Sequence, residues 1–256
     1  MTSVLIGHTG FVGATLARGS SFDLLVNRSN LESLRGAHVR RLVCAGLPAA
    51  KWIANEKPHE DAENLRRLEA TLCTVRADRV LLISTIDVYP CSRDADETFD
   101  CSQKPNHTYG RHRLDFERFI RETFPESFIV RLPALFGAGL KKNILYDLLH
   151  GRRLERINPD SRFQWYPLTR LMRDLNAVEA RALPLVNFFT EPIQTKKILK
   201  EFFPDRRVGE SPDALVEYDL QTQYSTHFGA REGYIMTCLE VMREMRIFIE
   251  LAQQSP

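Results

Sequence analysis

Runs of consecutive apolar residues punctuate the first half of the chain at Val4–Ile6, Leu24–Val26, Leu42–Cys44, Val80–Ser84 and Phe128–Arg131. Apolar residues at successive rather than alternate positions are expected of strands covered on both faces. Between these runs, Phe11–Arg18, Asp61–Val75 and Tyr109–Thr123 repeat their apolar positions at helical spacing. Leu65, Leu68, Leu72 and Val75 line one face of the second. Strand and helix in alternation predict an α/β fold built on a doubly wound parallel sheet.

Beyond Leu132 the alternation loosens. A loop with Pro133, Gly137 and Gly139 leads into a helix near Asn143–His150, then a basic and aromatic stretch from Arg152 to Tyr166. The strand-like Leu183–Phe189 and helical Thr195–Phe203 suggest that the chain revisits the sheet before a long helix around Tyr234–Leu251. The reading is therefore a core over residues 1–135, with 168–190 returning to it, and a small substrate lobe from 136–167 and 191–256.

The junction of the first strand and helix changes this from a fold into a function. In Gly7-His8-Thr9-Gly10-Phe11-Val12-Gly13, three glycines recur every third residue between a buried strand and a helix. Gly7 can make the tight turn, Gly10 lets backbone N–H groups approach a pyrophosphate, and Gly13 lets the helix pack closely on the strand, as in Rossmann-type dinucleotide folds. Thr9, Phe11 and Val12 complete the loop that faces the phosphates, and the helix N-terminus favours their negative charge. Folds that select NAD commonly end the second strand with an acid for the ribose 2′-hydroxyl. Here the strand ends Asn27-Arg28-Ser29. A guanidinium at Arg28, with donors on Asn27 and Ser29, suits a 2′-phosphate, so NADP is expected in preference to NAD.

Composition narrows the partners. The chain has 43% hydrophobic and 27% charged residues, with 35 Lys+Arg against 33 Asp+Glu. That near balance gives no footprint for nucleic acid or membrane. No basic segment followed by an apolar stretch opens the sequence, so cytoplasm is the expected compartment. The five cysteines lack a C-x-x-C pair, and His107 and His112 with Cys101 give no zinc spacing; free thiols and no metal are expected.

Two further motifs sit in order behind the glycine loop: Ser84-Thr85-Ile86-Asp87-Val88-Tyr89 after the fourth strand, and Tyr109-Gly110-Arg111-His112-Arg113 twenty residues beyond Tyr89. Together the three resemble the extended short-chain dehydrogenase/reductase superfamily, the NAD(P)-dependent epimerase/dehydratase group acting mainly on nucleotide sugars. The resemblance covers residues 1–145 well and the rest weakly. It implies that Tyr109 is the acid/base at the substrate oxygen, that Thr85 orients that oxygen, and that Arg113 stands where a lysine normally holds the nicotinamide ribose and favours the phenolate. Arginine keeps the charge, but its planar fork cannot place one donor against two ribose hydroxyls.

The resemblance also implies that Leu132, in Arg131-Leu132-Pro133-Ala134-Leu135-Phe136-Gly137, passes beneath the nicotinamide, and that Asn143 contacts a sugar-nucleotide phosphate; Lys141, Lys142, Arg152, Arg153 and Arg162 around it either attract a diphosphate or form a solvated face. Asp87 would touch the substrate or cap the following turn. The superfamily's dehydratases carry Asp-Glu after the threonine where this chain has Ile86-Asp87, so dehydration is not expected. Asn64 matches an asparagine that braces the active site, with a solvent-exposed side chain as the alternative. A homodimer through the helices at Asp61–Val75 and Tyr109–Thr123 is implied by analogy. The sequence thus points to an NADP-dependent oxidoreductase or epimerase on a nucleotide sugar, with a cofactor-binding sensor or scaffold of the same fold as the alternative.

Overall fold

The computed structural model describes residues 2–230 and 233–254. The chain divides into two compact units, the first formed by Met1–Pro90, Phe99–Arg131 and Met172–Val186 and the second by Cys91–Thr98, Leu132–Leu171 and Asn187–Pro256.

The first unit runs β1 (Ser3–Ile6), α1 (Phe11–Gly19), β2 (Leu24–Val26), β3 (His38–Cys44), α2 (Lys51–Glu56), α3 (Pro58–Leu72), β4 (Arg76–Thr85), α4 (Thr108–Thr123) and β5 (Ser127–Leu132). The second unit contributes β6 (Ala134–Phe136), α5 (Ile144–His150), β7 (Arg162–Phe163) and β8 (Trp165–Pro167). The chain then returns to the first through α6 (Leu171–Ala180) and β9 (Leu185–Asn187), and finishes with β10 (Ile193–Gln194), α7 (Thr195–Phe202) and α8 (Cys238–Gln254). Six parallel strands lie in the order β2-β1-β3-β4-β5-β9. This is the expected Rossmann-type doubly wound sheet.

Strand order reverses between β1 and β3, which are hydrogen-bonded neighbours, with Ile6 opposite both Val26 of β2 and Cys44 of β3. Ligands of such sheets bind beyond the carboxyl ends of the strands at this switch point. Val4, Ile6, Val26, Leu42, Cys44, Val80, Leu82 and Ile129 form the core on one side with Leu65, Leu68, Leu72, Phe116 and Ile120 from α3 and α4. Their uninterrupted apolar runs follow from having helices on both sheet faces.

Strands β3 and β4 begin earlier than their apolar runs. His38 to Arg41 pairs with Arg76 to Arg79 through the backbone, and a ladder needs no apolar side chain where it reaches solvent. Helix α3 stops at Leu72. Thr74 turns the chain by donating its hydroxyl to Thr71 O at 2.7 Å, so Val75 is buried from a turn rather than from the helix. Two helices lay outside the sequence reading: α2, too short for periodicity, and α6, whose Leu171, Leu175 and Val178 keep helical spacing and are fully buried.

The second unit pairs β6 with β8 in parallel and β7 with β10 antiparallel. Buried Gln164 ties its strands and loops together, donating to Thr190 O and Leu220 O while accepting from Leu220 N–H.

Candidate cofactor and acid/base site

The glycine loop leaves β1 at Gly7, whose φ of 88° falls where only glycine is unstrained. A Cβ at Gly7 would lie 2.4 Å from Ala45 O at the end of β3, and one at Gly13 would lie 2.0 Å from Gly7 O. Both glycines are therefore required by backbone approaching backbone. Gly10 differs: an added Cβ would meet only Gly7 O, at 3.4 Å. Space is open at the position where the sequence argument put a phosphate. Gly10 is the N-cap of α1, no side chain caps the helix, and no acid lies in its first turn. The first N–H groups, on Phe11 and Val12, thus lack the usual internal partners and are available to an anion. Thr9 is exposed beside them. His8, unremarked in the sequence, braces the loop: its Nδ1 lies 3.1 Å from Val26 O, which also accepts from Gly7 N–H.

At the end of β2, Asn27 and Ser29 are occupied with each other. Asn27 Oδ1 accepts from both the N–H and the hydroxyl of Ser29, an Asx turn that presents Arg28 outward. The Arg28 guanidinium donates to Asn64 Oδ1 on α3 at 2.7 Å. Asn64, which the resemblance matches to an active-site brace, is half-buried and gives its Oδ1 to Arg28 at the β2 end.

The tyrosine end grows from the close approach of α4 to the turn after β4. Gly110 makes that approach possible, since a Cβ there would lie 2.1 Å from Asp87 O. Asn106 Nδ2 donates to Asp87 O and Val88 O, and His107 caps α4 with Nδ1 accepting from Gly110 N–H at 2.9 Å. The neighbouring Tyr109 is consequently buried with its N–H donated to Asn55 Oδ1 of α2. Burial pushes the Tyr109 phenol above its usual range, and the charge of Asp87 adds to this; the Arg113 charge and hydrogen bonding from Arg113 and Thr85 act in the opposite direction. Thr85 and Tyr109 are thus brought together.

Arg113 lies with its guanidinium carbon 4.3 Å from the centre of the Tyr109 ring. It is 1% exposed and held on two sides: a bidentate pair with Asp61 of α3 at 2.7 and 2.9 Å, and a bond to Pro48 O at 2.6 Å. His112 also meets Asp61, at 2.8 Å. Burial raises the Asp61 carboxyl, but hydrogen bonds from Arg113 and His112 outweigh it and leave the group below the usual carboxylate range. One turn further along α4, buried Glu117 accepts from Arg131 at 2.7 Å and from Ser84 at 2.5 Å. Arg131, seen in the sequence only as the start of a motif, fastens β5 to α4.

The turn after β4 is capped by Thr85 rather than by Asp87. The Asp87 N–H donates to Thr85 Oγ1, while its carboxylate meets Lys51 Nζ at 2.6 Å, the Thr85 hydroxyl at 3.4 Å and His107 Nε2 at 3.7 Å. Burial opposes ionisation here too, but His107 and Lys51 together hold the carboxyl down at about 2. Asp61, Lys51, Asn55 and His107 were not singled out as site residues by the motifs. They lie on α2, α3 and the α4 cap, and only folding brings them to Arg113, Asp87 and Tyr109.

In the second unit, Leu132 is buried at the end of β5. Asn143 is the N-cap of α5, with Oδ1 accepting from Tyr146 N–H and Nδ2 donating to Leu135 O. Arg162 joins β7 through its backbone, and its side chain is exposed. Among the described residues no helix is long and apolar enough to cross a membrane, and no group of His, Cys, Asp and Glu is placed to hold a metal.

No protein-family model matches the sequence, and no curated protein matches it. Solved structures do match. An NAD-dependent NDP-hexosamine 5,6-dehydratase of tunicamycin biosynthesis is 21% identical, with a TM-score of 0.80 over 100% of this chain and 99% of that one. A UDP-glucose 4-epimerase from Thermotoga maritima, solved with UDP-glucose, is 13% identical with a TM-score of 0.74 over 100% and 99% of the two chains. A dTDP-4-dehydrorhamnose reductase from Bacillus anthracis, in complex with NADP, is 16% identical with a TM-score of 0.72 over 98% and 99%. Along its length, then, this chain shares the Rossmann-type fold of these three solved enzymes.

Proposed function

We propose that the protein binds NADP in preference to NAD and uses it in the reduction or epimerisation of a nucleotide-activated sugar. The observation that carries this reading is the meeting of Thr85 and buried Tyr109, beside Arg113, in the same unit as the open glycine loop. The glycine loop fits a dinucleotide: Gly10 leaves room for a pyrophosphate, the first N–H groups of α1 would hold it, and Arg28 would pair with a 2′-phosphate. A bound nicotinamide supplies or accepts hydride. Tyr109 exchanges a proton with the substrate oxygen at its phenolic Oη, Thr85 orients that oxygen through Oγ1, and burial keeps competing water away. Leu132 lies on the segment assigned to the nicotinamide, and Asn143 and Arg162 are the proposed contacts to the sugar-nucleotide phosphates.

The alternative, a sensor or scaffold that binds cofactor without turnover, draws on one observation. Arg113 is committed to Asp61 and Pro48, so the side chain at the lysine position is not free to hold a ribose. Titrating NADPH and NADH by fluorescence, then following NADPH oxidation over a panel of nucleotide 4-keto-sugars, separates the two. Tight NADPH binding with oxidation that Tyr109→Phe abolishes supports the enzyme. Tight binding with no turnover, and a ligand-dependent change in association with another protein, supports the sensor.

A further inference from the structure

Lys51 carries none of the sequence motifs, yet its ammonium is in direct contact with the carboxylate beside the tyrosine. It opens α2, sits 2.6 Å from Asp87 Oδ1, and keeps 42% of its side chain in solvent. The surrounding segment is tied to the tyrosine helix at two more points, by Pro48 O to Arg113 at 2.6 Å and by Asn55 Oδ1 to Tyr109 N–H at 3.0 Å. Lys51 is thus presented to the site by a stretch of backbone tied on both sides of it, with its ammonium on Asp87.

The charged and titratable groups around Tyr109 come from every element that packs there. Its own helix brings Arg113 and His112, with His107 at the cap; α3 brings Asp61; the turn after β4 brings Asp87; and α2 brings Lys51. Two carboxylates are each answered by a cation. Asp61 pairs with two nitrogens of Arg113 almost without solvent, while Arg113 also donates to Pro48 O and lies over the Tyr109 ring. Asp87 stands closer to the proposed acid/base chemistry, because it also receives the Thr85 hydroxyl. His107 reaches the same carboxylate from the α4 cap, with Nε2 3.7 Å away, while its Nδ1 accepts from Gly110 N–H.

We propose that Lys51 is a positioning residue for the acid/base tyrosine: its ammonium, 2.6 Å from Asp87, neutralises a carboxylate that also holds the Thr85 hydroxyl, and so adds from α2 to the cation that Arg113 places over the Tyr109 ring. The proposal rests on reading Tyr109 as the acid/base, but its electrostatics do not depend on which cofactor or sugar binds. The division of labour follows from the two side chains. Arginine makes a rigid bidentate pair and is buried without losing its proton, whereas lysine presents a compact charge on a flexible stem.

The test replaces Tyr109 with 3,5-difluorotyrosine, whose phenol ionises near neutral pH, and follows its fluorine resonance against pH in the full, ligand-free chain. Lys51→Met removes the charge and keeps the length of the stem, so the apparent pKa of the probe should rise by about one unit. Lys51→Arg should leave it in place. Asp87→Asn added to Lys51→Met should bring it back to the starting value or below, a reversal that a merely structural disturbance would not give. Lys51→Gln serves as a second uncharged variant should Lys51→Met alter the far-ultraviolet circular dichroism. Superimposable titrations with and without the Lys51 charge would overturn the proposal. A shifted titration in a protein that turns over no sugar would remove the enzymatic reading and with it the acid/base role, leaving only the electrostatic coupling of Lys51 to Tyr109; an unshifted one in an active enzyme would overturn the proposal and keep the enzymatic reading.

Discussion

At the carboxyl end of β1 the backbone is shaped by what will not fit, whereas at the carboxyl end of β4 the side chains are held by charge. Gly7 and Gly13 are glycines because a methyl group at either would enter a backbone oxygen's van der Waals radius. Around Tyr109, by contrast, Arg113 with Asp61 and Lys51 with Asp87 form two ion pairs of different character, one with exposures of 1% and 3%, the other with 42% and 17%. A steric requirement can be met by one residue type and fixes its spacing along the chain. A charge requirement can be met from any element that reaches the spot, so it leaves no spacing to find.

The largest effect is expected where the charged end is driest. Asp61→Ala leaves the Arg113 guanidinium buried without its partner, at a cost of about 3–5 kcal/mol in unfolding free energy. The double change Asp61→Leu with Arg113→Met should recover most of the loss, because well-packed apolar residues replace a buried pair at little cost. Urea denaturation of the unmutated protein and these two variants measures this. A single-variant loss of less than about 1 kcal/mol, the scale of a surface pair, would mean that the two ends do not differ in the way described.

Gly13→Ala should come next, at about 3 kcal/mol, since the atom it strikes belongs to backbone and cannot swing aside. Gly10→Ala provides the contrast, with an unfolding midpoint close to that of the unmutated protein and weakened cofactor binding. Equal destabilisation by both alanines would show that the loop is simply tight throughout, and the space assigned to a pyrophosphate would be lost from the argument.

The difference in spacing explains how much could be read in advance. The glycine loop, the six-stranded parallel sheet and the approach of Thr85 to Tyr109 were legible because strand, turn and helix signals stood in order within short stretches. Asp61 and Arg113 are 52 residues apart, and Lys51 and Asp87 are 36 apart. With 35 basic and 33 acidic residues in the chain, no rule of composition would select those pairs. Helix α2 was missed for a related reason. Its six residues bury only Ala54, so it has almost no apolar face to announce it, and its position is fixed by polar ties to α4.

A smaller effect follows from acid. Asp87 has its carboxyl held at about 2 against an ordinary 3.8, so its pairing stabilises the folded chain above the ordinary value and the benefit is lost as pH falls from about 4 toward 2. The full difference corresponds to about 2 kcal/mol. Asp87→Asn, which cannot titrate, should therefore be less stable than the unmutated protein near neutrality, and the gap should close at the acid end of that window. A gap independent of pH would mean that Asp87 contributes through packing rather than charge.

The smallest expected effect returns to the glycine end and asks whether charge matters there at all. Arg28 projects from an Asx turn that occupies Asn27 and Ser29, and its contact with Asn64 is one exposed hydrogen bond to a neutral group. Moving the guanidinium onto a 2′-phosphate would exchange that bond for a charge-assisted one. The preference for NADPH over NADH should then be at least about tenfold, or 1.4 kcal/mol, and should weaken as salt screens the exposed pair. Arg28→Glu should reverse the preference, because a carboxylate repels the phosphate and can accept from the ribose hydroxyls of NADH. Its effect on folding should be slight, since the side chain it replaces is exposed. If the unmutated protein binds both cofactors equally and Arg28→Glu changes neither affinity, the glycine end recognises its ligand through backbone geometry alone, and the contrast between the two ends becomes sharper than drawn here.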